Sequence, residues 1–128
     1  MADKKQMIST SLAPWFDIDN APQAVTFYKD AFGATETYRL EMDGGLVVQL
    51  SVDGAAFWIS GNTGDSGKTA DVHQKMRMIL TVSDPDACFE KALRAGAKEL
   101  SPVNNAHGWR TGRLLDPFGF QWEIGRPL

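Results

Sequence analysis

The segment 61–69, GNTGDSGKT, is the part of the sequence that most resembles a catalytic motif. It brings glycines together with Lys68, as the phosphate-binding loop of nucleotide-binding proteins does. That loop keeps four residues between its first glycine and its Gly-Lys pair, whereas five separate Gly61 from Gly67 here. The loop must also open a helix that faces the phosphates, but the polar residues that follow lead to another strand pattern. We therefore interpret residues 61–74 as a polar connection between strands.

Few other residues have the chemistry of a catalyst. His73 and His107 fall in predicted loops, where a solvated histidine is the ordinary outcome and a ligand contact the alternative. Cys88 occupies an apolar position of a predicted helix, which favours a buried, unreactive thiol. Asp17 and Asp19 end a predicted strand, but nothing in the sequence marks either as a general base. The sequence has neither a nucleophile elbow nor a catalytic Cys-His signature.

Length and composition indicate one globular domain spanning residues 1–128. A chain of 128 residues buries roughly two thirds of its unfolded surface, which is enough for a hydrophobic core. The net charge of −3 argues against a nucleic-acid partner, which attracts basic surfaces. The sequence has no apolar run of about 18 residues and no signal peptide, so we expect no membrane partner. A single cysteine cannot form an internal disulfide, so a cytoplasmic location is expected.

Two segments of the sequence, 16–35 and 80–99, repeat the same pattern. Each begins with the end of a strand and continues into a helix with a proline in its first turn, where the missing N–H costs little. Asn20 is the predicted N-cap of the first helix, and Ser83 or Asp84 that of the second. Both helices show apolar residues at helical spacing and stop at a Gly-Ala pair.

Three strand patterns follow each predicted helix. They cover 35–42, 46–52 and 55–60 in the first half, and 98–103, 109–115 and 119–125 in the second. The predicted order is therefore βαβββ twice, in units of about 9–60 and 75–126 joined by the loop 61–74. This arrangement belongs to the α+β class.

Two motifs within this duplicated frame resemble a known family. They are AVTFYKDAFGA at 24–34 and GWRTGRLLDPFGFQWEI at 108–124. In this order they resemble the vicinal oxygen chelate superfamily, which includes glyoxalase I, extradiol dioxygenases, and the fosfomycin and bleomycin resistance proteins. The PhnB-like branch is the most similar. The resemblance covers roughly residues 10–126 and implies that each unit forms a curved mixed sheet with its helix on the convex face.

The resemblance also implies a cleft between two such sheets, often formed between the subunits of a homodimer. Pairing of the two sheets inside one chain is the alternative. Strand alternation indicates which side chains face that cleft. Trp15 and Asp17 lie on one side of the first strand, Arg77 and Ile79 on one side of the fifth, and Glu123 on one side of the last.

Metal-dependent members of that superfamily carry His or Glu ligands on the first and last strand of each unit. The matching positions here are Ala13, Arg77, Glu123 and Ile59, or Trp58 if the register slips by one residue. Only Glu123 can bind a metal, because the other side chains offer no acceptor. Catalytic zinc takes three protein ligands, and hard cations need several oxygens. We therefore expect no metal or other cofactor, and an Arg77–Glu123 contact in its place.

Aromatic and polar side chains supply the candidate ligand site. The candidate ligand-binding residues are Trp15, Gln49, Phe57, Arg77, Trp109, Arg113, Gln121 and Glu123. Flat aromatic walls with a few polar groups are typical of small-molecule pockets. Arg110 and Arg113 are candidates to hold an anionic group, or else form a solvated strand edge. Trp58 and Trp122 are predicted to lie in the core.

Two functions from different classes follow. The first is a metal-independent protein of the glyoxalase/bleomycin-resistance type that sequesters an aromatic or amphipathic small molecule as a homodimer. The alternative is a glyoxalase-like or dioxygenase-like enzyme, a lyase, isomerase or oxygenase of the same superfamily. The missing metal ligands favour the first function, and the sequence does not identify the ligand.

Overall fold

The computed structural model of the chain describes residues 11, 13–64 and 73–128, with only the backbone for 73–76. The elements are β1 Trp15–Asp17, α1 Ala21–Phe32, β2 Thr35–Met42, β3 Gly45–Val52, β4 Ala55–Asn62, β5 His73–Thr81, α2 Pro85–Ala95, β6 Lys98–Ala106, β7 Trp109–Leu115 and β8 Phe120–Pro127. The predicted βαβββ order is thereby confirmed in both halves. The ends of the connection predicted over 61–74 belong to β4 and β5, and residues 65–72 lie outside the described part.

Each unit forms one open, four-stranded mixed sheet. The strand orders are β1-β4-β3-β2 in sheet 1 and β5-β8-β7-β6 in sheet 2. In each sheet the first strand of the unit pairs in parallel with the last, and the other pairs are antiparallel. Each unit also has a backbone hydrogen bond at the equivalent position. It joins Ile18 N–H to Ser60 O (2.8 Å) in the first unit and Val82 N–H to Gly125 O (3.0 Å) in the second. The repeat in the sequence is therefore a repeat in register.

Both helices begin and end at the residues that the sequence predicts. Asn20 caps α1 by accepting a hydrogen bond from Gln23 N–H (3.4 Å). Asp84, and not Ser83, caps α2 by accepting one from Ala87 N–H (3.1 Å). Each helix is followed by a glycine with positive φ, which suits the left-handed end of a helix. Neither of these described helices has the length and apolar character needed to span a bilayer.

The helices cover one face of each sheet, which we call the helix face. Apolar strand residues that point to this face contribute to the core, and among them Val48 and Ile59 in sheet 1 and Leu114 and Ile124 in sheet 2 are fully buried. The opposite face, which carries no helix, we call the open face. Because side chains alternate along a strand, each residue on the helix face has neighbours on the open face.

A buried carboxylate joins the two units. Asp116, in the turn between β7 and β8, is 2% exposed. Its Oδ2 accepts hydrogen bonds from Tyr28 Oη–H of α1 and from Trp122 Nε1–H (2.8 Å). Its Oδ1 accepts from the backbone N–H groups of Phe118 (2.9 Å) and Phe120 (3.0 Å). Burial raises the pKa of Asp116, and these donors oppose the shift by stabilising the charged form.

Aromatic packing surrounds this carboxylate. Phe16 of sheet 1 stacks on Phe120 of sheet 2, with ring centroids 4.1 Å apart. The Trp122 ring packs against Phe32 and Phe57 of the first βαβββ unit, with ring centroids 4.8 and 5.6 Å apart. The units therefore share one hydrophobic core, and their helix faces both contribute to it.

Removing the Tyr28 hydroxyl is expected to destabilise the fold. Tyr28→Phe deletes one donor to a buried carboxylate and should lower the free energy of unfolding by about 1–3 kcal/mol in urea. The control is Tyr38→Phe, because the Tyr38 ring is exposed and its change should stay within about 0.5 kcal/mol. Equal effects of the two substitutions would contradict the role given to Asp116.

Candidate functional site

A row of side chains crosses the open face of sheet 1. The register places Tyr38, Gln49, Trp58 and Trp15 side by side on four successive strands. Trp15 stacks on Trp58 with centroids 5.5 Å apart and planes 16° apart, and Tyr38 meets Trp58 edge-on at 5.6 Å. Trp15 is 55% exposed and Tyr38 47%. We call these four residues the aromatic row.

Trp58 belongs to this row and not to the core, so its sequence prediction was wrong. Its neighbours along β4, Phe57 and Ile59, are the residues that point to the helix face. Phe57 was predicted in the ligand site, but it is 4% exposed and packs against Phe16 with centroids 5.7 Å apart. The first five residues of the pattern AAFWIS are all apolar, so the sequence could not show which alternate set faces the helix.

Ser60 on β4 and Asp17 on β1 lie next to Trp58 and Trp15, and we call them the polar end of the aromatic row. Trp15 Nε1–H donates to Ser60 Oγ at 2.8 Å, and Ser60 Oγ–H points to Asp17 Oδ1 at 3.5 Å. Gln49 Oε1 accepts a hydrogen bond from Thr37 Oγ1–H at 2.9 Å. The sequence analysis did not single out Ser60.

Tyr38 was also missed, because β2 is irregular. The register of β2 with β3 shifts between Glu36 and Tyr38, so Thr37 is an extra residue that has no partner position on β3. Such a bulge reverses the alternation beyond it. The signal that could have located Tyr38 is an aromatic residue within the mainly polar segment 35–39, but the face on which it lies depends on the bulge.

Charged and polar residues occupy the open face of sheet 2. Arg77 Nε lies 3.1 Å from Glu123 Oε1, with side chains 49% and 21% exposed, so the predicted contact is confirmed. Thr111 Oγ1–H also donates to Glu123, at 3.2 Å. Gln121 alternates with the buried Trp122 and is half-buried beside Arg77. Trp122 lies in the core, as predicted.

The two arginines of β7 point in opposite directions. Arg110 lies on the helix face and forms two hydrogen bonds with Asp86 of α2, at 2.7 and 2.6 Å. Its guanidinium lowers the pKa of Asp86. Arg110 therefore does not reach the open face, so the first of its two predicted roles, holding an anionic group there, is wrong. Arg113 and Trp109 are on the open face of β7, Arg113 opposite Glu123 and Trp109 at the end of the strand.

The residues at the four family metal positions do not fit a metal ion. Trp15 pairs with Trp58 as Ile79 pairs with Glu123, so Trp58 is the unit 1 equivalent of Glu123. Ile59, the first assignment, is wrong because it points into the core. Of the four positions only Glu123 carries a ligand-type side chain, and Arg77 is its partner. Throughout the described residues, no three His, Cys, Asp or Glu side chains are grouped to hold a metal.

His107 and Cys88 lie away from the open faces. His107 is exposed in the turn between β6 and β7, and the side chain of His73 lies outside the described residues. Cys88 is half-buried on α2, and burial raises the pKa of its thiol, which lowers its thiolate fraction. Asp17 is the exposed acid nearest the aromatic row.

Comparison with known families agrees with this geometry. The family model of the Glyoxalase/Bleomycin resistance protein/Dioxygenase superfamily matches residues 18–124. The chain belongs to this superfamily. The match spans the part of the chain that holds both helices and the sheet strands from β2 to β8.

Individual relatives are distant. An uncharacterised protein of Mycobacterium bovis is 29% identical over 136 aligned positions, covering 94% of this chain and 86% of that protein. The crystal structure of TioX from Micromonospora sp. ML1 superposes with a TM-score of 0.68 at 22% identity, covering 92% of this chain and all of TioX. The fosfomycin resistance protein FosX from Listeria monocytogenes gives a TM-score of 0.73 at 14% identity, covering 95% and 96% of the two chains. These two structures support the fold alone.

The contact between Arg77 and Glu123 is expected to contribute little to stability. Both side chains are partly exposed, so solvent screening should limit their coupling to about 1 kcal/mol or less. Glu123→Gln should still destabilise more in the presence of Arg77 than in an Arg77→Met background. A double-mutant cycle in urea measures the coupling, and additive effects would show that the pair does not interact in solution.

Proposed function

We propose that the chain is a metal-independent binding protein of the bleomycin-resistance type that sequesters an aromatic or amphipathic small molecule. The observation that carries the proposal is the aromatic row on a sheet face that no helix covers. In it Trp15 and Tyr38 are exposed, and the half-buried Trp58 contacts both rings. A continuous row of aromatic groups on the surface is typical of a site that binds a ligand or another protein.

The chemistry of the row suits a planar apolar ligand. Aromatic stacking contributes about 0.5–1.5 kcal/mol per pair beyond the burial of surface. Gln49 adds an amide, and Ser60 and Asp17 add a hydroxyl and a carboxylate at the end of the row. An apolar wall with few polar groups is the usual composition of a small-molecule site.

The second sheet supplies the remaining candidate ligand-binding residues. They are Arg77, Trp109, Arg113, Gln121 and Glu123, all on the open face of sheet 2. Metal independence is supported by the side chains at the family metal positions, where Arg77 and Glu123 engage each other. Within the superfamily we place the chain in the PhnB-like branch, on the two sequence motifs at 24–34 and 108–124.

We further propose a homodimer in which open faces of the two copies cover each other. Both open faces carry large exposed apolar side chains, among them Trp15 and Leu40 in sheet 1 and Ile79 in sheet 2. The helix faces are already used for the core inside each chain. A ligand site between open faces then draws on both copies. The single cysteine is consistent with a cytoplasmic site of action.

Binding is expected to depend on the tryptophan pair and not on a metal. Naphthalene-2-carboxamide, a neutral planar probe, should bind saturably in calorimetry, and Trp58→Leu should weaken it about two- to tenfold. The control ligand is decahydronaphthalene-2-carboxamide, which has similar size but no π system and should bind more weakly. EDTA should leave binding unchanged. Absence of saturable binding, or its loss with EDTA, would contradict the proposal.

The dimer is expected to be visible by light scattering at micromolar concentration, as a mass twice the 14.1 kDa of one chain. Ile79→Lys, which places a charge on the 62% exposed Ile79 of the open face, should shift the protein toward monomer. Leu128→Lys is the matched control, because Leu128 is 71% exposed and lies beyond the last strand. A monomeric unsubstituted protein would refute the dimer.

A further inference from the structure

The groups at the polar end of the aromatic row bear on which ligand charge the site prefers. We propose that the open face of sheet 1 selects aromatic ligands that carry a positive charge, such as an arylalkylammonium ion, and that Asp17 receives this charge. The inference rests on the proposed binding function and names the ligand class of the same site.

The hydrogen-bond donors beside Asp17 are already used. Trp15 Nε1–H donates to Ser60 Oγ (2.8 Å), and the Ser60 hydroxyl in turn is directed at Asp17 Oδ1 (3.5 Å). This relay runs toward the carboxylate, so it leaves acceptor oxygens at its end. The faces of the Trp15 and Trp58 rings also carry negative charge density. This end of the row therefore presents electron-rich groups to a ligand.

Positive side chains are directed away from this face. Among the described residues of sheet 1, Arg39 is the one cationic side chain, and its register partner Val48 is fully buried on the helix face. Arg39 and Lys29 of α1 both pair with Glu36, at 2.8 and 2.7 Å, and together they lower its pKa to about 2. These cations are therefore engaged with Glu36 and do not reach Asp17. On the open face of sheet 2, Arg77 pairs with Glu123, and Arg113 lies opposite the same carboxylate.

Asp17 points to the open face, where the proposed ligand lies between the two copies. It is exposed on the same face as Trp15, two residues along β1. Within the described part of the chain it forms no ion pair, and its hydrogen-bonding partner is the hydroxyl of Ser60. A cation held over an aromatic face gains attraction from the ring, and a nearby carboxylate adds to it. Asp17 and the tryptophan pair together offer both contributions.

Three naphthalene probes of equal size test the charge preference by calorimetry at low salt. They are naphthalene-2-methylammonium, naphthalene-2-carboxamide and naphthalene-2-carboxylate. The cation should bind about tenfold more tightly than the neutral amide, and the carboxylate most weakly. Asp17→Asn should reduce the preference for the cation to about threefold or less, which is the part that cation–π attraction retains.

The matched control is Asp53→Asn, which removes the same charge from the opposite end of β4. Asp53 lies in a turn with φ 51°, a conformation that asparagine tolerates equally well. The control should keep the full preference for the cation. Equal or reversed preference for the three probes would overturn the inference, as would a preference that survives in Asp17→Asn. If no probe binds at all, the proposed binding function fails as well, and the two failures are thus distinguished.

Discussion

The position of Asp116 is the constraint on which the assembly of the two units depends. A carboxylate at the β7–β8 turn is buried among aromatic rings and receives four hydrogen bonds, one of them from Tyr28 of the other unit. Burial alone would make such a charge costly, and the four donors replace the water that it has lost. Because its donors come from α1, the turn and β8, the carboxylate fixes all three together. The helix faces of both sheets then close on one core.

Use of the helix faces for the core leaves the open faces exposed. Side chains alternate between the two faces of each strand, so burial of Phe57 and Ile59 places Trp58 on the open face. In the same way the buried Trp122 places Glu123 on the open face of sheet 2. An aromatic surface on one sheet and a charged surface on the other are therefore direct consequences of how the core is built.

The superfamily fold supports different sites on one frame, and in this chain the residues at the metal positions implied by the family resemblance do not fit an ion. Ala13 and Trp58 offer no ligand, and Arg77 replaces an ion with a fixed cation that engages Glu123. What remains in sheet 1 is aromatic, with one carboxylate at its border. In the binding function that we propose, stacking and charge at these groups hold the ligand.

The sequence by itself determined the βαβββ order, the helix ends at Gly33 and Gly96, and the Asn20 cap, because these depend on local periodicity and backbone chemistry. It also located the Arg77–Glu123 contact, since alternation in β5 and β8 is strict where one face is clearly apolar. Only the tertiary structure decided which face Trp58, Phe57 and Arg110 occupy. In β4 three apolar residues, Phe57 to Ile59, follow one another, so packing had to decide which of them face the helix. In β2 the bulge at Thr37 changed the face of every later residue. The partners that decide these positions are distant in sequence, which is why local patterns could not reveal them.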